Sequence, residues 1–219
     1  MQYFYQQDLF VGGQGGYVLY RIPALAVTNA GTILAFCEAR KHTGADSDQI
    51  DLFLRRSHDN GRTFDDVIVV ASQDGWVCGN PAPVVDRKTG TIWLLFCKNM
   101  KDGNEHLICE GKAPRTVWST RSDDNGLNWT APVEITASVK RPQWSWYATG
   151  PGHGIQLKTG RLIVPCNHQV LQNHNRQDPT HSHVIYSDDH GRSWQIGGSA
   201  DPGTNESTVL ETADGWLYL

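Results

Sequence analysis

The chain has 219 residues, of which 39% are apolar and 19% are charged, a composition typical of a globular protein with a substantial core. Its formal net charge is −4 and neither sign forms a long run, which argues against a nucleic-acid partner. No apolar run approaches the roughly 20 residues of a membrane span, so we expect no membrane partner. The first residues lack the basic start and apolar stretch of a secretion signal, which indicates a cytoplasmic location unless a signal has been removed.

Four turn signals divide the chain into hairpins. Each turn ends in glycine and lies between two short apolar runs of the kind that form strands. In the first three repeats a third strand and then a fourth follow the hairpin. The runs between the turns show no helical periodicity, so the pattern predicts an all-β chain. The turns are Asn29–Gly31, Lys88–Gly90, Lys158–Gly160 and Ala213–Gly215.

A motif of the form Ser-x-Asp-x-Gly-x-x-aromatic occurs three times, at Ser57–Phe64, Ser122–Trp129 and Ser187–Trp194. The serines are 122 − 57 = 65 and 187 − 122 = 65 residues apart, which indicates a repeated supersecondary unit. Serine and aspartate side chains bind nearby backbone N–H groups and close a turn, and the aromatic residue packs into the core. We therefore interpret these carboxylates as structural rather than catalytic.

Four antiparallel strands per repeat are typical of the blades of a β-propeller. We predict one domain, residues 1–219, that is an incomplete propeller of about three and a half four-stranded blades. An open ring exposes strand edges, so the chain is either part of a longer propeller or a polypeptide that associates through its open side. The apolar residues 216–219 favour a homo-oligomer. The predicted blades cover about 20–72, about 80–137 and about 150–199, and a fourth begins at about 205–219.

The cysteines and histidines give no sign of a metal or cofactor site. The five cysteines are scattered without a Cys-x-x-Cys pair, and three of them lie in apolar runs that predict burial. Four histidines bunch near residues 168–183, but we favour surface histidines in a polar loop over a zinc site, which needs three or four converging ligands. We therefore expect no metal and no cofactor. These residues are Cys37, Cys97 and Cys166, and His168, His174, His181 and His183.

Two further features have alternative interpretations from the residues alone. Arg21 lies at the start of the first apolar strand, where it is either an exposed flanking charge or a guanidinium that binds a carboxylate bidentately. Elementary physical chemistry favours the flanking charge. The aromatic run Trp144–Tyr147 either stacks on a sugar or fills the core between blades, and we expect a mixture of the two.

Several short motifs occur together with the three boxes. The first is Y-R-I-P at residues 20–23, and the chain as a whole resembles the sialidase (neuraminidase) family of exo-glycosidases. This resemblance implies the six-bladed sialidase propeller fold and an exo-α-sialidase that releases terminal sialic acid from sialylated glycans and glycoconjugates. The other motifs follow in the family's order: E-A-R (38–40), G-A-D (44–46), N-P-A-P-V-V-D (80–86), G-P-G-H-G (150–154) and N-E-S-T-V-L-E (205–211).

The resemblance also implies two catalytic residues. Asp46 matches the acid/base that protonates the leaving glycosidic oxygen, a role that needs a carboxyl on a loop within reach of the bond. Glu206 matches the glutamate that acts as base for the family's tyrosine nucleophile. The nearby Asp48 and Asp51 are close enough in sequence to be confused with Asp46, and we expect them to be solvated loop residues.

Four substrate-binding residues follow from the same resemblance. Arg21 matches the first of three arginines that bind the substrate carboxylate, and Arg40 matches a second arginine that lines the site near the sugar. Asn80 stands where the family places a polar contact near the N-acetyl arm. Glu105 matches a loop glutamate near the glycerol side.

The chain departs from the family pattern after Glu211. The family's other two carboxylate-binding arginines and its nucleophilic tyrosine follow that position, and the sequence ends at Leu219. We therefore expect hydrolysis to be weak or altered. The alternative is a non-catalytic module that binds sialic acid, or an inactive propeller fragment.

Overall fold

The computed structural model describes residues 4–219 and confirms an all-β chain, with only two short helices in that range. Helix α1 is Glu105–Cys109 and helix α2 is Thr136–Val139. In residues 4–219 no helix is long and apolar enough to cross a membrane. The strands are β1 Leu19–Val27, β2 Ile33–Arg40, β3 Ile50–Ser57, β4 Ile68–Ala71, β5 Trp76–Val85, β6 Ile92–Met100, β7 Thr116–Ser122, β8 Val133–Glu134, β9 Trp144–Thr149, β10 Ile155–Gln156, β11 Leu162–Val170, β12 Thr180–Ser187, β13 Gln195–Ser199, β14 Leu210–Glu211 and β15 Leu217–Tyr218.

The strands pair in three successive antiparallel units and a final hairpin. The first unit runs β1–β2–β3–β4 and the second runs β5–β6–β7–β8. A single parallel pair, Ile50 with Val77, joins these two units into one eight-stranded sheet. In the third unit β10–β11–β12–β13 pair in order, and β9 pairs with the other half of β11. Strands β14 and β15 form the hairpin, and within the described residues no sheet closes on itself.

The predicted turns lie where the sequence pattern indicated. Three of them join two neighbouring strands within a unit, and the fourth joins the two strands of the last hairpin. Each turn glycine has a positive φ, +79° at Gly31 for example, in the left-handed region that glycine adopts without steric cost. The second strand of each unit is almost completely buried, because neighbouring units cover it.

The three boxes have the structural role predicted from their residue types. In the first, the Ser57 hydroxyl donates to Asp59 at 2.8 Å and accepts from the backbone N–H of Gly61 at 2.8 Å. Asp59 also accepts from the backbone N–H of Thr63 at 2.9 Å, and this bond lowers the pKa of the carboxyl. The same pattern recurs in the boxes that begin at Ser122 and Ser187.

Aromatic side chains of the boxes pack one unit against the next. Trp129 of the second unit lies edge-on to Phe36 of the first, with ring centroids 5.8 Å apart. Trp194 of the third unit lies edge-on to Trp93 of the second at 6.4 Å. Two large core clusters accordingly combine residues of the first and second units and of the second and third units. The repeats therefore stabilise each other through shared hydrophobic cores.

The first strand of each unit is interrupted at one point, directly before a proline. The pairing register shifts around Ile22 in β1 and around Asn80 in β5, and in the third unit β9 ends just before Gly150. These residues have φ values of +51°, +58° and +75°. Positive φ is costly for a β-branched residue such as Ile22, and such strain clusters at functional sites. The interruptions turn Ile22 and Asn80 toward a common cavity.

The five cysteines are buried and unpaired, which confirms burial of the three in apolar runs. Two of the histidines correct the sequence interpretation. His168 and His183 lie on β11 and β12 rather than in a surface loop, and they are 3% and 0% exposed. His183 contacts both His168 and the hydroxyl of Tyr147 at 3.0 Å, and the His168 ring stacks on Trp144. Residues 4–219 contain no group of three or more His, Cys, Asp or Glu side chains arranged to hold a metal ion.

Candidate active site

A polar cavity of about 180 Å³ lies where the interrupted first strands meet. Residues from eight separate stretches of the chain line it. They lie on β1, from β2 through the following loop to the start of β3, on β5, at the start of α1, just before β7, on β9, on β11 and just before β14. The structure brings all six sequence-predicted site residues to this one cavity: Arg21, Arg40, Asp46, Asn80, Glu105 and Glu206.

Asp46 is held between two guanidinium groups. Its Oδ1 lies 2.6 Å from Nη2 of Arg40 and 3.4 Å from Nη1 of Arg21. The side chains of Arg21 and Asp46 are about half exposed, at 46% and 56%, whereas that of Arg40 is only 1% exposed. Arg21 is therefore the more accessible of the two guanidinium groups and the one that an anionic ligand would contact first. In the free protein the Asp46 carboxylate already pairs with it.

Arg40 is fixed by the protein itself. Its Nη2 and Nε donate to Oε2 of Glu38 at 2.6 and 3.1 Å, and its Nη1 donates to the carbonyl oxygen of Gly44 at 2.6 Å. The other oxygen of Glu38 accepts from the backbone N–H of Asn80 at 2.8 Å. Arg40 thus lines the cavity as predicted, and its hydrogen bonds also anchor the Asp46 loop to β2 and β5.

Asn80 is oriented by a second buried arginine, Arg115, which is 3% exposed. Arg115 donates from Nη2 to Oδ1 of Asn80 and from Nε to the carbonyl oxygen of Tyr147, both at 2.5 Å. A third bond joins its Nη1 to Asn99. The guanidinium also lies 4.1 Å from the centre of the Trp146 ring, in a cation–π contact. Because its oxygen is occupied, the Asn80 amide is held in one orientation at the cavity wall.

The two glutamates lie at the cavity rim. Glu105 is the first residue of α1, which Asn104 caps by accepting from the backbone N–H of Leu107, and its carboxylate pairs with Arg176 at 3.0 Å. Glu206 precedes β14 and is exposed.

The expectation that Asp48 and Asp51 are solvated is wrong. Asp48 is 8% exposed and accepts backbone N–H bonds from His42, Thr43 and Gln49 at 2.5–2.7 Å. Burial opposes its ionisation, but the bonds from Thr43 and His42 outweigh burial and lower the pKa of the carboxyl.

Asp51 is also buried, at 2% exposure, and accepts from the Tyr17 hydroxyl at 2.5 Å. Burial and this bond raise the pKa of Tyr17. Asp48 shapes its loop and Asp51 holds Tyr17, and neither lines the cavity. The expected solvated loop is not observed, because Asp51 lies on β3 and Asp48 is bonded to the backbone of its own loop.

The sequence assigned no individual role to nine of the cavity residues, among them Glu38, Arg115, Trp146 and Asn167. Glu38 belongs to the E-A-R motif, so its position was visible although its function was not. Within the aromatic run, Trp144 and Tyr147 are core residues and Trp146 lines the cavity, so stacking of Trp146 on a sugar stays a prediction. Arg115 and Asn167 carry no local signal, because only tertiary packing places them at the cavity.

The cavity offers contacts for a small, polar anionic ligand. Arg21 is an accessible cation, Asp46 is a carboxyl group on a flanking loop, and other lining residues add amides and one indole ring. Guanidinium groups bind carboxylates strongly, and aromatic faces and amides are common contacts for polar ligands.

The repeated antiparallel units and this cavity define the class of protein. Residues 31–219 match the family model described as a BNR repeat-like domain. That match covers most of the chain, so the chain belongs to the BNR repeat-like domain family, and the resemblance to sialidases is confirmed by the relatives that follow.

Curated relatives of the chain are named sialidases. It is 36% identical to sialidase-3 of Bos taurus, over 82% of this chain and 45% of that protein. It is 30% identical to a sialidase of Bacteroides fragilis, over 94% of this chain and 40% of that protein. The chain thus spans less than half the length of these two relatives.

Solved structures give the same fold. The Hadza microbial sialidase Hz136 matches with a TM-score of 0.81 and 29% identity, over 90% of this chain and 41% of that one. A leech intramolecular trans-sialidase also has a TM-score of 0.81 at 16% identity, over 98% of this chain and 49% of that one, and it supports the fold alone. The fold of residues 4–219 is therefore similar to the matching parts of these two proteins.

Proposed function

We propose that the chain carries part of the active site of an exo-α-sialidase, a glycoside hydrolase that releases terminal sialic acid from glycoconjugates. The observation that carries this proposal is the cavity itself, because it unites six residues that the sequence motifs assign to substrate binding and catalysis. The named relatives support the same activity.

In this proposal the substrate carboxylate replaces Asp46 on Arg21. The free protein pairs Asp46 with Arg21 at 3.4 Å, and this exposed contact is weak enough for a second carboxylate to displace. Once displaced from Arg21, Asp46 takes up a proton from solvent, remains tethered to its loop and passes that proton to the leaving oxygen. Asn80, fixed by Arg115, binds a polar arm of the sugar, and Glu105 contacts the sugar from the α1 side.

Glu206 completes the proposed chemistry as a base. Its carboxylate is exposed at the rim, where it can accept a proton from the attacking hydroxyl group. No tyrosine is among the cavity-lining residues of the described range, so the nucleophile is left open.

We further propose that the three antiparallel units are propeller blades and that β14–β15 begins a fourth, within one domain. Shared cores between successive units support this division.

Association through the open side into a homo-oligomer follows, because Trp216 and Tyr218 are 70% and 62% exposed. Analytical ultracentrifugation of the wild type and of Trp216→Asp tests it, and a monomeric wild type would contradict the association.

Turnover of a fluorogenic α-sialoside tests the proposed activity. The wild type is expected to release the fluorophore above the uncatalysed rate, and Asp46→Ala to lose about 100-fold or more of that activity. Asp74→Ala, an exposed acid outside the cavity, serves as the control. Activity that survives in Asp46→Ala contradicts the role of Asp46. Sialoside binding without turnover in the wild type supports the alternative of a binding module.

A further inference from the structure

Asn167 is buried at the cavity with an unsatisfied oxygen. The residue lies on β11, is 1% exposed and lines the cavity. Its Oδ1 has no hydrogen-bond partner. Of the buried side-chain atoms without a partner in residues 4–219, this oxygen alone belongs to a cavity-lining residue. Burying an acceptor without a partner is unfavourable, so the position needs an explanation.

The neighbouring strands supply no donor. Opposite Asn167 on β9 is Ala148, whose methyl group has none to offer. Opposite it on β12 is Ser182, and the Ser182 hydroxyl already donates to the carbonyl oxygen of Asn205. Arg115, the buried cation of the same wall, bonds to Asn80, Asn99 and Tyr147 instead. The protein therefore leaves the Asn167 oxygen for a group that enters the cavity.

We propose that Asn167 is a specificity-determining residue whose Oδ1 accepts a hydrogen bond from an O–H or N–H group of the bound sugar. This inference rests on the proposed function and adds a ligand contact to it. A ligand that carries such a donor satisfies an acceptor that the free protein leaves unpaired, whereas a ligand without it leaves the acceptor buried. Discrimination of this kind is strong, because a site built for a polar group rejects the analogue that lacks it.

The stability of Asn167→Leu separates a ligand contact from a structural one. Leucine has nearly the same shape and removes the unpaired oxygen, so the melting temperature is expected to stay the same or rise. Asn99→Leu is the matched control, because Asn99 is also buried but bonds to Arg115, Met100 and Gly103. That variant is expected to melt lower. A lower melting temperature, or a failure to fold, for Asn167→Leu overturns the inference.

Calorimetric titration with the α-methyl glycoside of N-acetylneuraminic acid gives the second measurement. Asn167→Leu is expected to bind it about tenfold more weakly than the wild type. Two analogues identify the donor, one with hydrogen in place of the acetamido group and one with a shortened glycerol arm. The group that forms the contact is the one whose loss weakens wild-type binding but leaves the binding of Asn167→Leu unchanged.

The outcomes distinguish the two proposals. If the wild type binds the glycoside and Asn167→Leu binds it equally well, the inference fails, whereas the proposed function is still decided by the turnover assay. If the wild type does not bind the glycoside, both fail.

Discussion

Glu38 is the residue that connects the two sides of the cavity. It is 3% exposed, and its two oxygens bind the Arg40 guanidinium and the backbone N–H of Asn80. A carbon atom added at Gly79 would lie 2.8 Å from Oε1 of Glu38, so glycine there leaves room for the carboxylate. The pair of Glu38 and Arg40 therefore positions both the Asp46 loop and Asn80.

Glu38→Gln tests this positioning. It leaves the buried Arg40 charge partly unpaired, and we expect a loss of about 3 kcal/mol in the free energy of unfolding, measured with urea. Asp188→Asn is the control, because it breaks an exposed ion pair with Arg161 and is expected to cost about 1 kcal/mol or less. Equal losses in the two variants would contradict the positioning role of Glu38.

At the scale of structural elements, β11 and β12 contain a pair of buried imidazoles that make stability depend on pH. Burial lowers the pKa of His168 to about 3 and that of His183 to about 2. In the unfolded chain histidine titrates near pH 6.5, so the unfolded state binds more protons below that pH. The stabilisation is complete above about pH 6.5 and is lost as the pH falls toward 3.

We predict that the free energy of unfolding decreases by about 1 kcal/mol per pH unit for each imidazole between pH 6 and 4.5. His183→Gln keeps polar contacts to His168 and Tyr147 but does not titrate, so the slope is expected to fall by about half. His153→Gln, at an exposed position, is the control and is expected to retain the wild-type slope. A flat profile in the wild type would contradict burial of the pair.

The boxes allow a comparison of one substitution at two equivalent positions. Gly61 and Gly191 have similar φ values, +82° and +87°. A carbon atom added at Gly61 has its nearest neighbour at 3.6 Å, in Ile33, whereas one at Gly191 would lie 2.1 Å from the Trp93 ring. The Trp93 indole also donates to the carbonyl oxygen of His190 at 2.9 Å, which holds the ring against this turn.

Gly61→Ala is expected to cost about 1–2 kcal/mol of stability, the conformational penalty alone. Gly191→Ala is expected to cost about 3 kcal/mol or more, because the Trp93 ring has to move out of its packed position. Urea denaturation of the two variants measures the difference. Equal losses would show that the third unit does not pack against Trp93 as described.

The elements were largely predictable from local sequence, and the contacts between them were not. Glycine turns and boxes repeat at fixed spacing, so hairpins and units followed from residue types. The burial of His168, His183 and Asp48 was missed, because it depends on how strands pack against one another. For the same reason Arg115 and Asn167 had no signal, whereas Arg21 and Asp46 were found through short motifs that resemble a known family.

On the scale of the whole molecule, the units place residues distant in sequence around one cavity. Arg21 and Glu206 come from opposite ends of the chain, and Asn80 and Glu105 come from its middle. Packing through shared aromatic cores, such as the contact of Trp93 with Trp194, fixes the units relative to one another. We therefore propose that this cavity recognises the carboxylate of a sialoside through Arg21.

Calorimetric comparison of an α-methyl sialoside with its uncharged methyl ester tests that claim most directly. The wild type is expected to bind the acid about tenfold or more tightly than the ester, because hydrogen bonds to a charged group are strong. Arg21→Met is expected to lose this preference, and Arg161→Met, remote from the cavity, to retain it. A preference for the acid that persists in Arg21→Met would contradict the account.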